Sequence, residues 1–148
     1  MRRQERLINI LRQHGVKAAY IFGSQKDAGI AFLKEIAPRI NGKADLDIGV
    51  IFQKLPEDVF TVYGEIYADL SLFFEPFRVD LVFLQETAIL FQYEAILGEI
   101  VYCDDESFLE AYEERVLKMA SDLSFKKNDF ERDFLEAIKD GYFEIAHR

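Results

Sequence analysis

The most restrictive feature of the sequence is an apolar strand that is entered through two acidic residues. Residues 46–52, LDIGVIF, have the composition of a buried β-strand, and Asp45 and Asp47 stand at its start. Because successive side chains of a strand point to opposite faces, the two acids share one face and the apolar residues between them occupy the other. Two neighbouring carboxylates beside a core repel each other and lose hydration, so a positive charge has to compensate them.

A third acid interrupts a later apolar segment, because Asp80 lies in the middle of RVDLVF. If the two strands are neighbours, Asp45, Asp47 and Asp80 converge on one patch of carboxylate oxygens. Such oxygens are ligands of Mg²⁺, which keeps phosphate oxygens and water as the rest of its shell. Two ions held in this way activate an attacking oxygen and stabilise a leaving pyrophosphate during an in-line displacement. We therefore expect a catalytic site with two Mg²⁺ ions at these three acids.

A Gly23-Ser24 turn between a predicted strand and a predicted helix is the second candidate element of a site. Glycine permits a positive φ angle or a close approach of the backbone to a ligand. The free N–H groups of a helix N-terminus bind phosphate oxygens, and the Ser24 hydroxyl can donate a further hydrogen bond. Gly23 and Ser24 are thus expected to bind the triphosphate of a nucleotide, with Lys26 adding positive charge.

Hydrophobic periodicity and turn residues predict helices and strands in alternation. The predicted helices cover residues 2–14, a segment capped by Ser24 and ending at Pro38, a segment from Pro56 to near Pro76, and residues 87–97. The predicted strands cover residues 16–22, 44–53, 77–84 and 99–103, with a turn at Asn41-Gly42. This order indicates a small mixed β-sheet flanked by helices, hence an α/β or α+β fold.

The C-terminal part of the chain is predicted to form two further helices. The first begins at Asp104 or Asp105, both natural N-caps, and runs to about Leu123, with an inward stripe formed by Leu109, Tyr112, Val116, Met119 and Leu123. The second begins at Asn128, with Glu131 in capping-box position and with Phe130, Phe134, Ile138 and Tyr142 at helical spacing. Residues 1–148 are interpreted as one domain with 104–148 as a helical extension, which packs on the domain, forms a homo-oligomer or binds a partner.

Composition and charge exclude several classes of function. The net charge is −9, with ten basic and five acidic residues in 1–54 but eight basic and twenty-two acidic residues in 55–148. Non-specific binding of duplex DNA is therefore not expected, although the basic half can attract a small polyanion. The single cysteine, Cys103, excludes an internal disulfide and agrees with the cytoplasm. No signal peptide and no membrane-spanning segment is predicted.

At these residues the sequence resembles the nucleotidyltransferase superfamily that includes DNA polymerase beta and the aminoglycoside nucleotidyltransferases. The resemblance rests on Phe22-Gly23-Ser24, Asp45-Leu46-Asp47 and Val79-Asp80-Leu81. The chain looks most like the minimal nucleotidyltransferases, the MntA-type antitoxins that partner HEPN-domain toxins. The likeness extends over roughly residues 5–120. It departs from the family in the twenty residues between Ser24 and Asp45, and in Gln25-Lys26, where the family often has Arg. The extra length is expected either to extend the helix that follows the turn without moving the acids, or to cover or reshape the nucleotide site.

The resemblance implies metal-dependent transfer of a nucleoside monophosphate, AMP from ATP, to a hydroxyl group. In the antitoxin branch the acceptor is a tyrosine of the HEPN toxin. The motif match assigns both metals to Asp45 and Asp47, and the catalytic metal and assistance in deprotonation to Asp80. It assigns phosphate contacts to Gly23 and Ser24. Two alternatives stay open: a transferase acting on a small aminoglycoside-like molecule, and a non-catalytic nucleotide-binding or assembly subunit.

Overall fold

The computed structural model describes residues 1–37, 39–40 and 42–140. Five α-helices and four β-strands follow one another along this part of the chain, with a short 3₁₀ turn at Leu84–Glu86. The helices are α1 (Arg3–Gln13), α2 (Lys26–Leu33), α3 (Val59–Phe73), α4 (Ile89–Ile96) and α5 (Glu106–Lys139). The strands are β1 (Ala18–Phe22), β2 (Leu46–Ile51), β3 (Val79–Phe83) and β4 (Glu99–Cys103).

The four strands form one mixed sheet in the order β3-β2-β1-β4. The central strand β1 runs antiparallel to both of its neighbours, β2 and β4. Strands β2 and β3 are parallel, and the chain between them crosses over through α3. As a result, the end of β1 lies beside the starts of β2 and β3, so that residues distant in sequence meet at one end of the sheet.

Both faces of the sheet are covered, which explains why every residue of β1 is buried. On one face, the inward side chains of β1 and β2 pack with α1, α2 and α3, in a cluster that includes Leu7, Leu11, Phe32, Ile66 and Leu70. On the other face, Tyr20 and Phe22 pack with α4 and α5, in a cluster that includes Ala95, Tyr112 and Val116. The mixed sheet flanked by helices confirms the predicted fold class.

Several predicted boundaries are wrong. The helix after the Gly23-Ser24 turn ends at Leu33, where the chain turns through Glu35 at a φ of 61°, so the long spacer before Asp45 is not an extension of that helix. The predicted helix end at Pro38 and the first residue of the Asn41-Gly42 turn lie outside the described residues. Helix α3 begins at Val59 rather than at Pro56, because the Asp58 carboxylate accepts a hydrogen bond from the Thr61 backbone N–H and caps the helix.

The two predicted C-terminal helices are one continuous helix. Asp105 caps α5 by accepting a hydrogen bond from the Phe108 N–H, as predicted, but Asn128 lies within the helix and caps nothing. Of the predicted inward stripe, Tyr112 and Val116 are buried, whereas Met119 and Leu123 are almost half exposed. The helix therefore leaves the sheet near Ala120, earlier than its hydrophobic pattern indicated. Tyr142 lies beyond the described residues.

Within residues 1–37, 39–40 and 42–140, no helix has both the length and the apolar composition that crossing a membrane requires.

Helix α3 offers a matched pair of leucines that tests the assignment of its buried face. Leu70 is fully buried, and Leu72, two residues later, is 71% exposed. We expect Leu70→Ala to lower the free energy of unfolding by about 2–5 kcal/mol, because it leaves a cavity in the core. The change Leu72→Ala is expected to stay within about 0.5 kcal/mol of the parent protein. Urea unfolding of both variants measures the difference, and equal losses would contradict the assigned packing of α3.

Candidate active site

Sheet pairing brings two of the three predicted acids side by side. Asp47 of β2 lies opposite Asp80 of β3 in the parallel register. Asp47 also lies opposite Phe22, the last residue of β1, in the antiparallel register. The two acids and the turn that follows β1 therefore occupy the same end of the sheet. This arrangement explains why an apolar strand begins with carboxylates: the start of β2 lies at the end of the sheet where the candidate site is located.

The Asp47 and Asp80 carboxyl groups are close enough to interact strongly. Partial burial raises the pKa of Asp47 to about 6, and the negative charge of Asp80, a hydrogen bond to Asp80 and the charge of Asp45 add to this rise. A hydrogen bond between two carboxyl groups requires a proton on one of them, because an ionised carboxylate only accepts. Without a cation the pair therefore tends to share a proton.

Asp45 makes a different contact. Its Oδ1 accepts a hydrogen bond from Arg78 Nε at 2.5 Å, and Arg78 also donates to the backbone oxygen of Lys43 at 3.3 Å. Arg78 thus supplies part of the positive charge that was expected to compensate the neighbouring carboxylates. The sequence analysis missed this residue. The signal was present, because Arg78 precedes Asp80 by two positions and such residues share one face of a strand.

The expected convergence of three carboxylates is only partly met. The structure brings Asp47 and Asp80 together, and Asp45 influences Asp47 electrostatically while it pairs with Arg78. In the part of the chain that the structure describes, no group of three His, Cys, Asp or Glu side chains has the arrangement to hold a metal ion. The Asp47–Asp80 pair fits a divalent cation chemically, because it offers oxygen ligands whose mutual repulsion a cation relieves.

Gly23 is required by the position of the Asp47 carboxylate. Gly23 has a φ of 79°, a conformation that residues with a side chain rarely adopt. A Cβ atom built on Gly23 would also collide with Oδ2 of Asp47. The turn and the acid therefore fit together only when position 23 has no side chain.

Ser24 is exposed next to this turn, but it is not the cap that the sequence predicted. Helix α2 begins at Lys26, its N-cap is Gln25, and no side chain forms a capping hydrogen bond there. The Lys26 N–H instead donates to the Gly23 carbonyl at 3.3 Å. Ser24 follows Phe22, which pairs with Asp47, by two residues, so it lies at the same end of the sheet as the carboxyl pair.

The mixed sheet, the glycine turn after β1 and the acids at the starts of β2 and β3 define a small α/β domain of the nucleotidyltransferase class. The family described as "Polymerase beta, Nucleotidyltransferase" matches residues 5–107. The match extends over more than half of the sequence, and the chain belongs to this family.

Solved structures of toxin–antitoxin systems share the fold. The chain is similar to a mutant MntA–HpeT complex, with a TM-score of 0.64 and 16% identity over 89% of this chain and 98% of that one. It is similar to a tri-AMPylated HEPN toxin in complex with the MNT antitoxin from Shewanella oneidensis, with a TM-score of 0.58 and 15% identity over 90% and 96%. It is also similar to a toxin–antitoxin structure with AMP-PNP, with a TM-score of 0.61 and 15% identity over 89% of this chain and 98% of that one. Among curated proteins, no sequence matches the chain. The resemblance to MntA-type minimal nucleotidyltransferases is thus confirmed at the level of the fold.

Removing the charge of Asp47 should stabilise the metal-free protein. We expect Asp47→Asn to raise the free energy of unfolding at pH 7 by about 1 kcal/mol, since solvent screens part of the repulsion. Because the pKa in the folded protein, about 6, exceeds the ordinary value of 3.8, the destabilisation is absent below the lower value and complete above the higher one. The advantage of the variant should therefore grow as the pH rises from about 4 to about 6 and stay constant above that.

Urea unfolding in the presence of EDTA measures this effect. The control is Asp45→Asn, which removes the partner of Arg78 and is expected to bring no such gain. If the free energy of unfolding rises equally in both variants, or if the rise does not change with pH, repulsion within the Asp47–Asp80 pair is not the cause of the rise.

Proposed function

We propose that this chain is a metal-dependent nucleotidyltransferase that moves AMP from ATP to a hydroxyl group of a partner protein, a tyrosine of a HEPN-type toxin. The observation that carries this proposal is the Asp47–Asp80 pair, which is held in register at the end of the sheet against the Gly23 turn. Two repelling carboxylates beside the core cost stability, and a bound cation would offset that cost. The proposed compartment is the cytoplasm.

In the proposed mechanism, Asp45, Asp47 and Asp80 hold two Mg²⁺ ions. When bound, these ions would neutralise the phosphate charge and lower the pKa of the attacking hydroxyl. Asp47 and Asp80 provide the first oxygen ligands, because they already lie together. Asp45 would be the third ligand residue, and in that role it would leave its contact with Arg78. The guanidinium group of Arg78 would then be available to a phosphate group.

The chain's own residues have distinct tasks in the transfer. Asp80 assists the removal of the proton from the acceptor hydroxyl, whose oxygen forms a bond to the α-phosphorus. The bond from that phosphorus to the bridging oxygen breaks, and pyrophosphate leaves. Backbone N–H groups of the turn at Gly23 and the hydroxyl of Ser24 hold the phosphates in line for this displacement.

The identity of donor and acceptor draws its support from the solved structures of similar fold. One of them contains a HEPN toxin that carries three AMP groups together with its MNT antitoxin, and another contains AMP-PNP. The predominance of acidic residues in 55–148 suits a basic acceptor protein. A small cationic acceptor of the aminoglycoside kind suits the same charge, so activity on a panel of hydroxylated amines would favour that alternative.

One observation favours a non-catalytic nucleotide-binding or assembly subunit as the second candidate. Arg78 forms an ion pair with Asp45. In the described part of the chain, no three His, Cys, Asp or Glu side chains are arranged to hold a metal ion. If this pair persists when nucleotide and metal are added, the site binds without turnover. The two candidates differ in whether pyrophosphate is released.

Calorimetric titration of ATP with Mg²⁺ tests the proposed site directly. Wild-type protein should bind the nucleotide in a metal-dependent manner, and Asp45→Asn/Asp47→Asn should weaken binding at least tenfold, because the metal ligands are lost. A matched control is Asp122→Asn/Asp129→Asn, which removes two charges from α5 and should leave binding unchanged. Absence of binding in the wild type, or equal weakening in the control, would contradict the proposed site.

Arg78 should compete with the metal for Asp45. We expect Arg78→Gln to tighten Mn²⁺ binding about two- to fivefold in the absence of nucleotide, since an exposed ion pair contributes about 1 kcal/mol or less. Mn²⁺ binding is followed by electron paramagnetic resonance, independently of activity. Weaker binding by the variant would show that Arg78 positions Asp45 for the metal and does not compete with it.

A further inference from the structure

Helix α5 continues well beyond the body of the domain. Ala120 is its last buried residue, and in the described chain no later residue is buried. The part of the helix that follows, up to Lys139, has nineteen residues and a length of roughly 28 Å. This outer half of α5 therefore gains no stability from the core, and an isolated helix of this length is marginal in water.

The outer half repeats the pattern of the half that packs on the sheet. Tyr112, Val116 and Ala120 are the buried residues of α5. Each is followed eighteen residues later, after about five helical turns, by another apolar residue: Phe130, Phe134 and Ile138. The face of the helix that touches the core is thus the same face that carries apolar side chains outside it. Together with Leu123 these three residues form a stripe, which we call the outer stripe.

The outer stripe exposes large side chains to solvent. Phe130 is 70% exposed, and Leu123, Phe134 and Ile138 are each more than 40% exposed. The rings of Phe130 and Phe134 stack with their centroids 6.3 Å apart. Single exposed apolar residues are common, but a contiguous row of them on one helix face is typical of an interaction site.

Charge decides which occupant the stripe fits. In residues 121–140 six acidic residues outnumber four basic ones, and Arg132 pairs with Asp129 and Asp133. The acids opposite and beside the stripe are Asp122, Asp129, Asp133, Glu136 and Asp140. Over the whole of α5 and its C-cap, ten acidic residues face six basic ones. Two copies of this helix packed against each other would bring like charges together, which opposes association. A partner helix with an apolar face and a basic rim is attracted instead.

The outer stripe continues from a groove between α4 and α5. Where α5 passes α4, the two helices form a groove of about 650 Å³ that is lined by Leu90, Tyr93, Leu97 and Leu117 among others. On the same helix α4, the Phe91 ring packs edge-on against Phe22 with centroids 5.8 Å apart. Phe22 immediately precedes Gly23 of the site. Helix α4 therefore contacts both the groove and the strand end that precedes the site.

We propose that the outer stripe is the docking surface for an amphipathic, basic-rimmed helix of the acceptor protein. The proposal rests on the proposed function for the identity of this partner, a HEPN-domain protein. The stripe supplies apolar contact, and the acidic residues beside it select the partner and set its orientation. Docking on α5 positions the acceptor without using any residue of the catalytic site.

The chain offers a closely matched control for this proposal. Phe125 lies on the same outer half of α5 and is 68% exposed, nearly as much as Phe130. It points about 140° away from Phe130 around the helix, because the two residues are five positions apart. The test uses the full chain and a HEPN-domain protein of the same organism. We expect Phe130→Ser to weaken the complex at least tenfold and Phe125→Ser to change its Kd less than twofold.

Binding is measured calorimetrically, and transfer of labelled AMP to the HEPN protein is followed in parallel. Circular dichroism of each variant checks that the helix content is unchanged. If Phe130→Ser binds as tightly as the wild type while labelling proceeds, the docking surface is wrong and the proposed function stands. If wild-type protein neither binds nor labels the HEPN protein, both proposals fall.

Sedimentation equilibrium of the chain alone addresses the competing occupant. A homodimer that Phe130→Ser disperses and Phe125→Ser preserves would assign the stripe to a second copy of this chain and overturn the proposal. A monomer at all concentrations agrees with it. Higher salt should weaken the complex with the HEPN protein, because the charged rim is exposed to solvent.

Discussion

The parallel pairing of β2 with β3 is the constraint on which the rest of the site depends. It sets Asp47 directly against Asp80 at the edge of the core, where burial and repulsion raise the pKa of Asp47 to about 6. The same pairing requires a crossover, which α3 provides and which covers one face of the sheet. The domain thus accepts a local loss of stability at the place where its chemistry is proposed, which is a common arrangement in active sites.

Most of the fold follows from local patterns in the sequence. The strands could be predicted because short apolar runs lie between turn residues, and β4 was predicted with its observed bounds. The meeting of Asp47 with Asp80 required only that two strands be neighbours. Boundaries failed at two helix starts. Asp58 caps α3, which begins three residues after the predicted start at Pro56, and Gln25, not Ser24, precedes α2, without a capping hydrogen bond.

Two features were missed for different physical reasons. The face that Arg78 shares with Asp80 can be inferred from the sequence, but its contact with Asp45, 33 positions away, depends on the direction in which that carboxylate turns. The length of α5 was hidden for another reason. The polar residues around Asn128 resemble the start of a new helix. The structure shows instead that one helix continues through them and keeps its apolar side chains on the same face.

The collision that a side chain at position 23 would cause has a further consequence for how this site can vary. The backbone at Gly23 and the carboxylate of Asp47 are in direct contact, so the Asp47 side chain fills the space that a side chain at position 23 would need. A methyl group added to the turn would displace an acid on a different strand, although the two positions are 24 residues apart. A side chain at position 23 is therefore expected to require a shorter residue at position 47, whereas Asp47→Asn, which keeps the shape of the side chain, makes no demand on Gly23.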